Sequence, residues 1–421
     1  MLKFCWETEF KKTEMGEIPR DWEIKKLGDL LKSLESGNRP KGGALAHSPN
    51  GILSIGGENI YWDGSLDLAE CLRFDENFYK NLKKGRIEQG DILLVKDGAT
   101  IGKLAYIKEI PEGKAMVNEH VFLLKSNNFK TYSRFLFYFL FSEIGQQQIE
   151  SSISGSAQGG INKSIQDNIL VFYPPLPEQS RIATVLSWFD DLIDIKKRQN
   201  EILEKTAMAI FKSWFIDFEP FRACSERERG NYEFVYNEEL GKEIPKGWEV
   251  KKIGEVIKFI YGEGLPERNR KEGIYPVVGS SGIVGFHSEY ITEPPTIIIG
   301  RKGNAGSVQL FLENSYPIDT VFYSSKHTPP EVIFYIYHWL KIISLDDMAL
   351  TDTAVPGLNI HMLNSLIILI PPPHILQKFH SLVEPLFQKI ILNQKQIMTL
   401  RKIKDTLLPL LVFGKLRVEE I

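Results

Sequence analysis

A chain of 421 residues, 43% hydrophobic and 25% charged, is long enough for two or three domains with ample cores. Its 51 Lys and Arg stand against 54 Asp and Glu, a net charge of −3. That balance excludes a protein that holds nucleic acid by overall positive charge, though not one that gathers its basic residues on one face.

The opening stretch, residues 1–14, has no apolar core followed by a small-residue cleavage site, and reads as an arm rather than a signal peptide. Residues 15–173 form a first globular part. In it, 91–95 and 121–124 are short apolar strands, and the turn KDGATIGK (96–103) lies between them. The aromatic-rich stretch 131–150, with Phe135, Phe137, Tyr138, Phe139 and Phe141, is expected to be a helix packed into a core. Cys5, Cys71 and Cys224 are isolated and odd in number, which disfavours a disulfide framework or thiolate zinc site and fits a reducing, cytoplasmic setting.

Residues 174–217 follow as one long helix. Apolar residues recur three or four apart at Ile182, Val185, Leu186, Phe189, Leu192, Ile193, Ile202, Leu203, Ile210 and Phe211. No Pro or Gly interrupts 178–215. At about 1.5 Å per residue, 177–215 is a rod roughly 58 Å long, too long for one face of a compact domain. Its middle, Lys196 to Asn200, is too polar for a membrane span, and no run elsewhere is long and apolar enough to be one. Residues 218–240 are polar and aperiodic, a surface linker.

A second globular part, 241–370, repeats the first. Strands at 296–299 and 320–323 flank the turn GRKGNAG (300–306), and an aromatic helix covers 331–343. Residues 371–421 close the chain with a second rod at 374–412, in which Pro385 is expected to introduce a kink. The repetition is explicit in the text. GEIPRDWEIKKLG (16–28) returns as KEIPKGWEVKKIG (242–254), and the lead-ins to the rods match from Gly160-Ile161-Asn162 to Gly357-Leu358-Asn359. The offset is 226 between Trp22 and Trp248 but 197 between Gly160 and Gly357, so the second globular part is 29 residues shorter.

The fold class expected is therefore α+β: two globular α/β domains separated by an antiparallel pair of long helices, a coiled coil, with an internal pseudo-twofold repeat. Antiparallel pairing would bring the N-terminal arm near the C-terminal helix.

These doubled motifs, together with YPVVGSSGIVG (275–285), resemble the specificity subunit of type I restriction–modification systems, over nearly the whole chain and in the right order. The resemblance implies that each globular part is a target recognition domain reading one half of a split, asymmetric DNA site. It further implies that the helices act as spacer and dock the modification (methyltransferase) subunits. The implied partners are double-stranded DNA, two modification subunits and, indirectly, restriction subunits, with no membrane.

Enzymatic signatures are missing from the sequence. There is no GxxxxGK[ST] loop and no HExxH. The strings Tyr173-Pro174-Pro175-Leu176 and Glu293-Pro294-Pro295-Thr296 lack the Asn or Asp and the final aromatic of a methyltransferase tetrad. Asp97, Glu112 and Lys114 could be aligned with a nuclease pattern, but the turn holding Asp97 recurs with Lys302, which disfavours it. A non-catalytic chain without cofactor or metal is expected.

Glycine-flanked turns bearing Lys, Arg, Asn or Ser are the DNA-facing candidates, because glycine admits close backbone approach and Arg or Lys bonds phosphate or guanine. In the first domain these are Arg39, Lys41, Asn59, Lys96 and Lys103. In the second they are Arg268, Arg270, Lys271, Ser280, Ser281, His287, Arg301 and Lys302. Trp22 and Trp248 share a repeat position and are expected in cores. The pairs Trp188/Phe189 and Trp214/Phe215 cannot both face one stripe, and are candidates for docking partner subunits. A two-headed protein-binding adaptor without DNA specificity is the competing reading, supported by the near-neutral charge.

Overall fold

The computed structural model describes residues 2–154, 159–222, 233–343, 345 and 357–420. The chain separates into two compact units, Met1–Ile193 with Met398–Ile421, and Asp194–Ile397. Each unit thus contains part of the central helix, Leu176–Phe215, and part of the distal helix, Pro373–Val412.

In the first unit a four-stranded antiparallel sheet has the order Leu31–Ser36, Val121–Ser126, Ile92–Val95, Leu104–Tyr106. Its central strands are apolar without alternation because both faces are covered. Ile92, Leu94, Phe122 and Leu124 enter one core, with the helix Ser133–Phe141 and the start of the central helix. Leu93, Val95, Val121 and Leu123 enter another, beneath a three-stranded sheet. That sheet sets Ile52–Ile55 between parallel Ala115–Val117 and antiparallel Leu72–Phe74.

The second unit repeats the plan. Its four-stranded sheet runs Phe259–Tyr261, Val321–Ser324, Thr296–Gly300, Val308–Phe311. Tyr275–Gly279 lies between antiparallel Gly282–His287 and parallel Tyr316–Pro317. Ile297 and Ile299 face the main core while Ile298 faces Val278 and Val321 on the other side.

Within each unit the two helices pack against each other. In the first, Lys404 donates from Nζ to Asp190 Oδ1 at 2.5 Å. In the second, Lys196 meets Gln396 at 2.5 Å, Asn200 meets Asn393 at 2.8 Å, and the Phe211 ring lies 5.9 Å from that of Phe379. In this second unit residue numbers on one helix rise as those on the other fall, so the pairing there is antiparallel. The distal helix passes through Pro385 without ending; Pro385 faces outward while Val383 and Phe387 beside it are buried. The arm strand Leu2–Trp6 pairs with Leu416–Glu420 directly after that helix.

Two expectations change. The aromatic stretch 131–150 is two helices, Ser133–Phe141 and Glu143–Ser151, because Ser142 leaves helical geometry and accepts from the Gly145 N–H to cap the second. The stretch 218–240 is not wholly linker. Phe218 and Phe221 pack edge-on against Trp248, and Phe234–Asn237 forms a hairpin with Lys242–Pro245, the counterpart of Phe10–Thr13 with Gly16–Pro19. Its middle, 223–232, and Cys224 with it, lies outside the described residues. Trp22 and Trp248 are both in cores. Among the described residues no helix is long and apolar enough to cross a membrane.

Candidate nucleic-acid interface

The glycine turns after Ile92–Val95 and Thr296–Gly300 are built on one frame. Ile161 N–H donates to the Lys96 carbonyl at 2.7 Å, and Leu358 N–H to the Arg301 carbonyl at 3.0 Å. Lys96 N–H donates to the His120 carbonyl at 3.0 Å, and Arg301 N–H to the Thr320 carbonyl at 2.9 Å. Lys96 Nζ lies 5.4 Å from the Phe122 ring centre; the Arg301 guanidinium lies 5.7 Å from that of Phe322. Each turn thus begins with a cation resting on an aromatic face, a contact that orients the charge while leaving it partly solvated. The next residue bridges to a glycine of the helix lead-in, Asp97 to Gly160 and Lys302 to Gly357.

Around Asp97 the charges are paired. His120 donates from Nδ1 to Asp97 Oδ1 at 2.5 Å, Lys96 reaches Asp97 Oδ2 at 3.2 Å, and Arg39 reaches Glu119 Oε1 at 2.9 Å. Lys302 and Ser281 are exposed; Ser281 lies in the two-residue turn joining Tyr275–Gly279 to Gly282–His287. Lys41 is exposed on a turn and Arg268 on the short helical turn Glu267–Asn269, and exposed Lys271 pairs with Glu289 at 3.4 Å. Arg301 is half-buried on the Tyr261 and Phe322 rings, and Arg270 donates to the Val284 carbonyl at 2.6 Å.

Four candidates are turned inward. Asn59 accepts the Gly56 N–H at 2.9 Å and is 2% exposed, because it closes the helical turn Gly57–Asn59. His287 accepts the Lys271 N–H at 2.9 Å beneath the Tyr316 ring. The Ser280 carbonyl accepts from Ser307 Oγ at 2.8 Å, and the Lys103 stem is buried with its ammonium 6.0 Å from the exposed Trp62 ring. Asn59 and His287 spend their polar atoms on the fold, and all four side chains are buried, which withdraws them from an outer surface.

The nuclease-like pattern does not assemble. Glu112 makes a two-pronged pair with Arg73 at 2.7 Å and Lys114 pairs with Glu76 at 2.8 Å, so the Asp97, Glu112 and Lys114 pattern is split among separate partners. Among the described residues no group of three or more His, Cys, Asp or Glu could hold a metal ion.

The model of the type I restriction modification DNA specificity domain matches residues 19–205 and again 245–402. The chain belongs to that family. Its two matches coincide with the two repeats, and the family's specificity subunits are non-catalytic components of their systems. The specificity subunit of the type I restriction enzyme MjaIX from Methanocaldococcus jannaschii is 36% identical over 459 residues, covering 100% of this chain and 99% of that protein. The HindI specificity subunit of Haemophilus influenzae is 23% identical over 406 residues, 79% of this chain and 88% of that one. The crystal structure of the S subunit of a type I system from M. genitalium shares the fold, with TM-score 0.57 and 19% identity over 93% of this chain and 96% of that one. The adaptor reading without DNA specificity gains no support from any of these.

In this specificity subunit the aromatic pairs on the central helix divide. Trp188 is half exposed, whereas Phe189 packs on the first core. Trp214 is half-buried against Phe221 and Phe379, and Phe215 is fully inside, edge-on to Tyr335 at 4.8 Å and Phe379 at 5.0 Å. Of the four, Trp188 alone is exposed, while Phe189 and Trp214 are half-buried. Asp97, His120 and Trp62 are surface groups that sequence reasoning did not select. Asp97 had a signal, its place opposite Lys302 in the repeat; the exposure of Trp62 had none.

Proposed function

We propose that each unit reads one half of a split, asymmetric double-stranded DNA site, while the paired helices set the spacing and dock two modification subunits. Restriction subunits engage through that assembly. The observation that carries this reading is the turn frame built twice with different outward residues. A shared frame approaches the duplex in the same manner, and unlike side chains choose unlike bases. The exposed or half-exposed Arg39, Lys41, Lys96, Arg268, Arg270, Lys271, Ser281, Arg301 and Lys302 supply phosphate and base contacts. Trp188, with Leu192 one turn further along the same face and also exposed, offers the docking surface for a modification subunit.

Each long helix has 40 residues, about 60 Å at about 1.5 Å per residue. That length bounds the span of the split site at about 18 base pairs, at roughly 3.4 Å each. Inserting four residues into each helix at paired positions and selecting from a duplex library with randomised spacers tests the idea. The expected result is a changed spacer with both half-sites kept; an unchanged spacer would refute the ruler.

A further inference from the structure

The two turns are superposable in bonding yet opposite in charge at one position. Asp97 and Lys302 each follow the cation that rests on Phe122 or Phe322, and each bridges to the lead-in glycine, Gly160 or Gly357. Backbone position is therefore held constant between the units while the side chain changes from an acceptor to a donor. An acidic residue facing DNA is repelled by phosphate unless cations flank it, and here Lys96 lies 3.2 Å from Asp97, with Arg39 on the neighbouring Glu119. His120, at 2.5 Å, holds the carboxylate from the other side.

We infer that Asp97 and Lys302 are equivalent base-reading positions of opposite polarity. Asp97 accepts a hydrogen bond from an exocyclic amino group, cytosine N4 or adenine N6, in one half-site. Lys302 donates to guanine O6 or N7 in the other. The major groove presents these groups distinctly, and carboxylates pair with the amino donor whereas lysine pairs with the guanine acceptors. The inference rests on the DNA-reading role given above and adds to it which residue in each unit reads a base, and with which hydrogen-bond polarity.

The test is selection of the purified full-length chain on a duplex library randomised across both half-sites and the spacer. Wild type, Asp97→Asn, Asp97→Lys and Lys302→Asp are run in parallel, with thermal unfolding of each. Asp97→Asn is expected to lower discrimination at a single base pair of one half-site roughly tenfold. Asp97→Lys is expected to switch that pair to a guanine preference, and Lys302→Asp to remove a guanine from the other half-site. Each change should leave the opposite half-site as in wild type. Unchanged motifs in folded variants would overturn the inference, as would a shift in melting temperature without any change of motif, which marks Asp97 as a mere partner of His120. Loss of both half-sites in the folded Asp97 variants would also overturn it. A wild-type chain that selects no motif would instead remove the DNA-reading role, and this inference with it.

Discussion

Asn393, fully buried on the distal helix, donates from Nδ2 to Asn200 Oδ1 at 2.8 Å on the central helix, and its own Oδ1 has no partner. A single buried Asn between paired helices costs stability but penalises every register that separates it from its mate. Asn200 is half-buried and can turn to water when released. Asn393→Leu is therefore expected to raise the thermal unfolding midpoint while broadening the range of spacers accepted in selection. A lower midpoint with unchanged spacer selectivity would show that the pair is an ordinary stabilising contact.

Glu178 at the start of the central helix is 3% exposed and accepts from Arg417 Nε at 2.5 Å, Arg417 Nη2 at 2.7 Å and Trp22 Nε1 at 3.1 Å. Arg417 also pairs with Glu7 and Asp21, so one guanidinium ties the C-terminal strand to the arm, the turn after the first hairpin and the helix. The repeat loses this device: Ile375 stands at the place of Glu178, and Trp248 Nε1 has no partner. Arg417→Ala strands a buried carboxylate and is expected to destabilise the first unit by about 3–5 kcal/mol, read as a shift in urea midpoint. Removing both members, Arg417→Ala with Glu178→Leu, should restore part of the loss.

His338 lies in the core of the second unit, stacked 5.6 Å from Phe211, with Nδ1 donating to the Phe334 carbonyl at 2.7 Å. Burial pushes its pKa down to about 4, and the carbonyl bond opposes that only in part. A histidine depressed in the folded state contributes stability above its unfolded pKa of about 6.5 and loses it as pH falls through the folded value. The stability of the second unit should fall by about 3 kcal/mol between pH 7 and pH 4. His338→Phe should flatten that segment of the profile; an unchanged slope would place the acid sensitivity elsewhere.

Surface and interior candidates should separate cleanly by experiment. Arg268 is exposed, so Arg268→Ala is expected to lower the salt dependence of DNA binding by about one unit of slope with no change in melting temperature. Asn59 closes a buried turn through Gly56, so Asn59→Ala should cost about 1 kcal/mol of stability. At temperatures where it is folded it should bind DNA as wild type does. The reverse pattern in either variant would contradict the placement of that residue.

The repeat, the long helices and the non-alternating strands were legible because each is written locally in the chain. The matched GEIPRDW and KEIPKGW strings need no structure to be seen, and period 3.6 shows in Ile182, Val185, Leu186 and Phe189 directly. Ser142 ending one helix and capping the next was hidden inside an aromatic run whose composition reads as helix throughout. The docking of Phe218 and Phe221 on Trp248 was masked by the charges around them.

By itself, then, the sequence determined the duplicated plan and the long rods, since internal repetition and periodicity survive without coordinates, and its doubled motifs carried the resemblance to the family. Only the tertiary structure decided which polar residues face outward. Asn59, Ser280 and His287 share their composition and glycine-rich setting with Lys302 and Ser281. Their fate depends on partners brought near by folding, such as Ser307 for Ser280 and Lys271 for His287. A buried polar atom must be satisfied by whatever the fold places beside it, and that neighbour is not written next to it in the chain.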